Sequence, residues 1–127
     1  MADEAPLKGK VAIVTGAGRR RSIGRPIAVE LARVGCDVVL TGTGRKPEDY
    51  PEDEKAVGWR DIESVAEEVR ALGRRALPLI SDVRRAEAID ELVQRSVSEL
   101  GGIDILINNA GAARGKDRVP VVELDEA

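Results

Sequence analysis

Histidine and phenylalanine are absent from the 127 residues, and cysteine, tyrosine and tryptophan each occur once. Without histidine, neither a Ser-His-Asp triad nor a histidine-ligated metal site can form within this chain, and we expect no metal. Because Cys36 is alone, no disulfide can form inside the chain, and the N-terminus lacks the pattern of a secretory signal. Both absences favour a cytoplasmic location.

An excess of positive charge is also missing, since 20 Lys and Arg residues stand against 23 Asp and Glu residues. Nucleic-acid-binding proteins usually carry a basic excess, and the 2% of aromatic residues offers little surface for stacking bases. No stretch approaches the roughly 18 uninterrupted apolar residues that a membrane-spanning helix needs. We therefore expect neither a nucleic acid nor a membrane as a partner.

Apolar runs and amphipathic segments alternate along the chain. Val11-Ala12-Ile13-Val14 is apolar without interruption, which is typical of a strand buried on both faces of a parallel sheet. Pro78 favours an outer position for the third such strand, because proline has no N–H to donate to a neighbour. The pattern predicts strands at 10–15, 37–43, 76–83 and 103–107, and helices at 23–34, 61–72 and 86–100.

Residues 44–60 interrupt this rhythm with Pro47, Pro51, Gly58 and a dense run of charges. We interpret this segment as a long surface loop. Elsewhere, strands separated by helices of roughly 10–15 residues imply right-handed parallel crossovers and a three-layer α/β fold.

The first strand runs into a glycine-containing turn that opens a helix, Thr15-Gly16-Ala17-Gly18-Arg19-Arg20-Arg21-Ser22-Ile23-Gly24. Small residues let the backbone approach a diphosphate, and the N–H groups at the helix start, near residues 22–25, point at an anion. Arg19, Arg20 and Arg21 stand at a helix start, where the helix dipole disfavours cations, and this favours an anionic ligand over the alternative of a solvated surface. The G-x-G-x-x-G fingerprint does not fit, because Arg21 occupies the third glycine position. An ordinary strand-to-helix turn is the alternative.

This loop resembles that of the short-chain dehydrogenase/reductase family, T-G-x-x-x-G-x-G. Thr15-Gly16 match its beginning and Ile23-Gly24 match its end, but Gly16 and Gly24 are eight positions apart instead of six, and Ser22 replaces the middle glycine. The resemblance implies a Rossmann-type, doubly wound parallel sheet with strand order 3-2-1-4, truncated after the fourth strand. Residues 1–127 would then be a partial nucleotide-binding domain, with residues 46–59 as an insertion.

Three further motifs follow in the family's order. Asn108-Asn109-Ala110-Gly111 resembles the N-N-A-G motif, which stabilises the sheet and lines the nucleotide site, and Asp82-Val83 resembles the acidic pair that holds the adenine. A helix N-cap is the alternative role for Asp82. Thr43 to Arg45 follow the second strand, where the family recognises the adenosine ribose. The resemblance thus implies cofactor contacts from Gly16, Arg19, Arg20, Arg21, Ser22, Ile23, Gly24, Thr43, Arg45, Asp82, Val83, Asn109, Ala110 and Gly111.

The ribose position also predicts which cofactor binds. An NAD site places a carboxylate there, whereas an NADP site needs cations because the 2′-phosphate brings roughly two negative charges. No acid follows the second strand before Glu48, and Arg45 together with one of Arg19 to Arg21 would grip the phosphate. We therefore expect NADP, with NAD less favoured. The alternative is that Arg45 and Lys46 are simply exposed.

The family's catalytic residues are not found in this sequence. They include a Tyr-x-x-x-Lys pair, and the single tyrosine, Tyr50, has Glu54 four positions later. The implied function is NADP(H)-dependent hydride transfer to or from a carbonyl or alcohol substrate, with catalytic residues outside this chain. The alternatives are a non-catalytic nucleotide-binding or regulatory module and a partner subunit of a split enzyme. We expect the remaining polypeptide or a second chain to complete the sheet, and the intact protein to be a homo-oligomer.

Overall fold

A computed structural model describes residues 5–110, which form one parallel sheet with helices on both faces. The expectations for Gly111 and for residues 112–127 lie outside the described residues. The strands stand in the order β3-β2-β1-β4, which confirms the predicted order. The elements are β1 (Val11–Val14), α1 (Gly24–Arg33), β2 (Asp37–Gly42), α2 (Glu52–Ala56), α3 (Ile62–Ala71), β3 (Ala76–Ile80), α4 (Ala86–Leu100) and β4 (Ile105–Ile107).

Strand β1 shows why the sheet is covered on both faces. Its four residues are all buried, and they belong alternately to two hydrophobic clusters. Ala12 and Val14 pack with residues of α1 and α3, whereas Val11 and Ile13 pack with Leu92 and Leu100 of α4. An uninterrupted apolar strand is what two covered faces require. The predicted three-layer α/β/α architecture is confirmed.

Two strands differ from the prediction by more than one residue at an end. Strand β4 begins at Ile105 instead of 103, because Asp104 forms two hydrogen bonds with Val11. The Asp104 backbone N–H donates to the Val11 carbonyl (2.8 Å), and the Asp104 carboxylate accepts from the Val11 N–H (2.9 Å). Strand β3 ends at Ile80 instead of 83. It is an outer strand in the described sheet, as Pro78 predicted.

The prediction of an irregular loop over residues 44–60 is wrong in part. A 3-10 turn covers Pro47–Asp49, and α2 follows it. Helix α2 begins directly after Pro51 and has three acidic residues in its first turn, both of which favour a helix start. Five helical residues are too few for a periodic hydrophobic pattern, so the sequence shows only prolines and charges.

Apolar side chains remain exposed on the α4 side of the sheet. Ile89, Val93 and Val97 of α4 and Leu106 of β4 are exposed large hydrophobic residues, Leu106 by 61%. Strand β4 forms the other edge of the described sheet. The expectation that residues 1–127 need further polypeptide to form a stable soluble monomer is compatible with this surface and stays a prediction. Within residues 5–110, no helix is both long and apolar enough to cross a membrane.

Candidate dinucleotide-binding site

The turn between β1 and α1 lies against the C-terminal ends of β2 and β4. The Gly16 N–H donates to the Thr41 hydroxyl oxygen (3.2 Å), and the Ala17 N–H donates to the Thr41 carbonyl (2.9 Å). Gly16 has a φ of +66°, and a Cβ added there would lie 2.8 Å from the Ala110 Cα. Both observations require glycine at this position, because the backbone is left-handed and another backbone passes directly over it.

Asn109 holds the same turn from the β4 side. Its side-chain amide donates to the Gly16 carbonyl (3.1 Å), and the backbone N–H groups of Asn109 and Ala110 both donate to the Thr15 hydroxyl oxygen (3.0 Å each). A Cβ on Gly24 would lie 2.9 Å from the Asn109 amide nitrogen. The glycine turn, the start of α1 and the segment after β4 are therefore packed into one unit.

The N-terminus of α1 keeps backbone donors available. Its N-cap, Ile23, makes no side-chain cap hydrogen bond, and the first turn has no acidic residue. Within residues 5–110, the backbone N–H groups of Ser22 and Ile23 donate to no protein acceptor. The Ser22 hydroxyl instead donates to the Arg19 carbonyl (2.9 Å). Donors of this kind at a helix start form a site for a phosphate group.

A cavity of about 330 Å³ opens over this turn. Eight of its lining residues are among the cofactor contacts predicted from the sequence, and Gly18, Gly42 and Asp61 also line it. Arg20, Arg21, Gly24, Asp82 and Val83 do not line it. The contacts with cofactor stay predictions for all of the residues named from the sequence. The eight predicted residues are Gly16, Arg19, Ser22, Ile23, Thr43, Arg45, Asn109 and Ala110.

Arg20 and Arg21 turn toward the inserted segment. Both guanidinium groups pair with the Asp53 carboxylate at 3.2 Å. The Arg20 backbone N–H also donates to a Glu54 carboxylate oxygen (2.8 Å). Arg20 and Arg21 of the lengthened glycine turn are thus held by α2, a contact that the sequence did not reveal.

Trp59 fastens the inserted segment to the glycine turn a second time. Its indole N–H donates to the Gly18 carbonyl (2.7 Å), and the Arg25 guanidinium lies over its ring, 4.8 Å from the centroid. Arg25 is itself fixed by Glu68 of α3 (2.6 and 2.9 Å). We call residues 47–59 the strap, because they contact the glycine turn at α2 and again at Trp59. These contacts hold a turn that is longer than the family's usual form.

Arg45 is buried in an ion cluster beneath the strap. Its side chain is 13% exposed, and one nitrogen, Nη2, lies 2.6 Å from the Asp61 carboxylate and 3.0 Å from that of Glu54. The guanidinium also stacks on the Tyr50 ring, 4.6 Å from the centroid. Burial by itself would lower the pKa of Arg45, but the hydrogen bonds and charges of Asp61 and Glu54 outweigh it and raise that pKa. The alternative of an exposed, unengaged Arg45 is therefore wrong.

Tyr50 belongs to the same buried cluster. Its ring is buried against Arg45, and burial raises the pKa of its hydroxyl, with the Asp61 charge adding to the effect. That Tyr50 is not the catalytic tyrosine stays a prediction from the sequence.

Asp61 was missed by the sequence analysis. It immediately precedes α3, and its backbone has φ 58° and ψ −132°, the only positive φ of a non-glycine residue among those described. Such a conformation costs on the order of 1–3 kcal/mol, and residues held this way often lie at functional sites. The one available signal was an acid at the start of a predicted helix, which normally indicates an N-cap. Asp61 makes no such cap hydrogen bond.

Asp82 lies at the turn after β3, outside the cavity. Arg84 donates to its carboxylate through the side chain and the backbone N–H, each at 3.0 Å. Arg84 thereby lowers the pKa of the Asp82 carboxyl to about 2. The alternative role as a helix cap is not seen, since α4 has Arg85 at its N-cap and no side-chain cap hydrogen bond.

Comparison with known proteins adds independent evidence. A model of the short chain dehydrogenase family matches residues 10–127. A cyclohexanol dehydrogenase of Rhodococcus sp. (strain TK6) is 41% identical over 98% of this chain and 46% of its own length. A 2-dehydro-3-deoxy-D-gluconate 5-dehydrogenase of Escherichia coli (strain K12) is 38% identical over 94% of this chain and 40% of its own length. The chain thus spans less than half the length of these relatives.

Solved structures give the same result for the fold. A short chain dehydrogenase from Mycobacterium thermoresistibile superimposes with a TM-score of 0.71 at 32% identity, covering 92% of this chain and 39% of the other. A short chain dehydrogenase from Mycobacterium paratuberculosis bound to NAD has a TM-score of 0.68 at 30% identity, covering 85% of this chain and 39% of the other.

Proposed function

Because the chain belongs to the short-chain dehydrogenase family, we propose that it is the part of a nicotinamide-dinucleotide-dependent oxidoreductase that binds the cofactor. The observation that carries this proposal is the glycine turn. Close contacts at Gly16 and Gly24 keep this turn compact. The backbone N–H groups of Ser22 and Ile23 donate to no acceptor within residues 5–110, and an open cavity lies above the turn. This arrangement fits a diphosphate, which needs close backbone contact and donors rather than bulky side chains.

The bound dinucleotide would donate hydride to a carbonyl carbon when reduced, or accept hydride from an alcohol carbon when oxidised. The residues of this chain would bind and orient it: the turn at the diphosphate, and Asn109 by keeping the turn in place. We assign no catalytic residue to residues 5–110. The residues that transfer the proton are proposed to lie outside this chain, as is the rest of the substrate site. Cytoplasmic location and homo-oligomerisation remain part of the proposal.

The choice between NADP and NAD depends on Arg45. The sequence favours NADP, since Arg45 follows β2 and no acid precedes Glu48. With Arg45 already engaged by Asp61 and Glu54, this preference loses its main support, although Arg19 remains an exposed cation at the cavity. The proposal of a dinucleotide cofactor does not depend on which of the two binds.

Calorimetric titration of the complete natural polypeptide with NADH and NADPH tests the proposal. We expect at least one of them to bind, with one site per chain. We also expect alcohols to reduce the oxidised form of the cofactor that binds, or carbonyls to oxidise its reduced form. If a folded sample binds neither dinucleotide, the proposed function is wrong. Binding without any turnover over a broad panel of alcohols and carbonyls would favour a non-catalytic nucleotide-binding module instead.

A further inference from the structure

Asp61 places a carboxylate where the end of β2 has none. A Cβ on Gly42, the last residue of β2, would lie 3.0 Å from the Asp61 Oδ2 atom, and one on Gly18 would lie 2.8 Å from that same oxygen. Two glycines, one on the strand and one on the glycine turn, thus leave room for this carboxylate. In dinucleotide-binding folds, the acid that binds the adenosine ribose lies between those same two elements. Here an acid reaches that position from the start of α3, 19 residues after Gly42 (61 − 42).

One oxygen of Asp61 remains available to a ligand. Oδ1 accepts from the Arg45 Nε (3.1 Å) and Nη2 (2.6 Å), whereas Oδ2 accepts from no protein donor within residues 5–110. The residue is only 8% exposed, and it lines the cavity over the glycine turn. The buried side-chain atoms that lack a hydrogen-bond partner among the described residues are Arg45 Nη1 and Glu54 Oε1, not Asp61 Oδ2. Oδ2 is therefore accessible from the cavity, where hydroxyl groups of a ligand would donate to it.

The charge around Asp61 disfavours a phosphate. Arg45 brings one positive charge, and Asp61 and Glu54 bring two negative charges, which leaves the buried cluster with a net charge of −1. A 2′-phosphate with roughly two negative charges would lie beside it. If Arg45 moved to that phosphate, Glu54 would lose its cation. Glu54 is 1% exposed and pairs with no other cation within the described ion pairs. Leaving a buried carboxylate without its cation is strongly unfavourable.

We propose that Asp61 is the residue that selects the cofactor, by accepting hydrogen bonds from the adenosine ribose hydroxyls of NAD(H) and excluding the 2′-phosphate of NADP(H). This inference rests on the proposed function and reverses the preference expected from the sequence. The proposal also gives the strained backbone of Asp61 a role, because that conformation accompanies a carboxylate that lies beside Gly18 and Gly42. Arg45 then acts as a positioning residue, because it fixes Asp61 through two hydrogen bonds.

The test is binding by the complete natural polypeptide, measured by calorimetry for NADH, NADPH, 5′-AMP and 2′,5′-ADP. The last two probes differ only in the 2′-phosphate and report on the adenosine end alone. We expect the unmodified protein to bind NADH at least about 10-fold more tightly than NADPH, with the same order for the two adenosine probes. Asp61→Asn keeps the size of the side chain and removes its charge, and we expect it to reduce that ratio by about 10-fold or more.

Glu63→Gln is the matched control. Glu63 lies two residues later on α3, is exposed and does not line the cavity, so removal of its charge should leave the ratio within about twofold of the unmodified value. Equal or tighter binding of NADPH by the unmodified protein overturns the inference, even if Asp61→Asn fails to fold. An unchanged ratio in folded Asp61→Asn, or an equal change in Glu63→Gln, also overturns it. If the folded protein binds neither dinucleotide, the proposed function itself has failed.

Discussion

Replacement of Gly16 by alanine tests the geometry of the glycine turn. The new Cβ would meet two difficulties: a φ of +66°, and an Ala110 Cα only 2.8 Å away. The left-handed backbone costs an alanine about 1–2 kcal/mol, and forcing an extra carbon into a packed site typically costs about 1–3 kcal/mol. Because the obstructing atom belongs to the backbone, it cannot turn aside as a flexible side chain would. We expect Gly16→Ala to lower the free energy of unfolding by about 2–5 kcal/mol.

Gly73→Ala provides the control. Gly73 follows α3 with a φ of +84°, but nothing lies within 4 Å of an added Cβ, so only the backbone cost of about 1–2 kcal/mol should appear. Denaturant unfolding of the complete natural polypeptide measures both variants. Dinucleotide titration of the folded variants should show weakened binding for Gly16→Ala and unchanged binding for Gly73→Ala. Equal losses of stability and equal binding in the two variants would refute the close approach between the turn and the segment after β4.

Two further predictions concern the strap and the turn after β3. Trp59→Phe keeps an aromatic ring but loses the donor to Gly18, so we expect a loss of about 1–2 kcal/mol in unfolding free energy and weaker dinucleotide binding. Tyr50→Phe is the control and should leave dinucleotide binding unchanged. The Tyr50 hydroxyl makes no hydrogen bond within the described residues, and the variant retains the ring that stacks on the Arg45 guanidinium. Equal effects of Trp59→Phe and Tyr50→Phe on dinucleotide binding would contradict a role for the indole N–H. Asp82 should titrate near pH 2 by carboxyl NMR, and Arg84→Ala should move that pKa toward about 3.9. Since the folded pKa is depressed, this pair stabilises the fold above about pH 4 and stops doing so as the pH falls toward about 2; an unshifted pKa in Arg84→Ala would refute the pairing.

The sequence was sufficient for the sheet because its signals are local and repeated. The uninterrupted apolar strand β1 predicted two covered faces, and Pro78 predicted an outer strand; the structure shows both. Strand ends were less predictable, because the end of a strand depends on partners far along the chain. Asp104 is an example, because its side chain accepts a hydrogen bond from the backbone of Val11, 93 residues earlier.

The strap and its ion cluster could not be read from the sequence. Glu54 and Trp59 lie in a segment whose prolines and charges indicate a solvated loop, yet both contact the glycine turn. Charged residues are usually exposed, so a pattern of acids gives no sign that one of them is buried against an arginine. Asp61 was equally hidden, because only the fold brings the start of α3 to the end of β2.

Hydrogen exchange of the complete natural polypeptide, with and without the dinucleotide that binds, measures whether the glycine turn holds the diphosphate. We expect slower exchange of backbone amides in residues 16–25 when the dinucleotide is bound, since those N–H groups would donate to its diphosphate. Amides in the middle of α4, which the cavity does not reach, should exchange at the same rate in both samples. Saturating dinucleotide that leaves residues 16–25 unchanged in the folded protein would contradict the assignment of this turn as the diphosphate site.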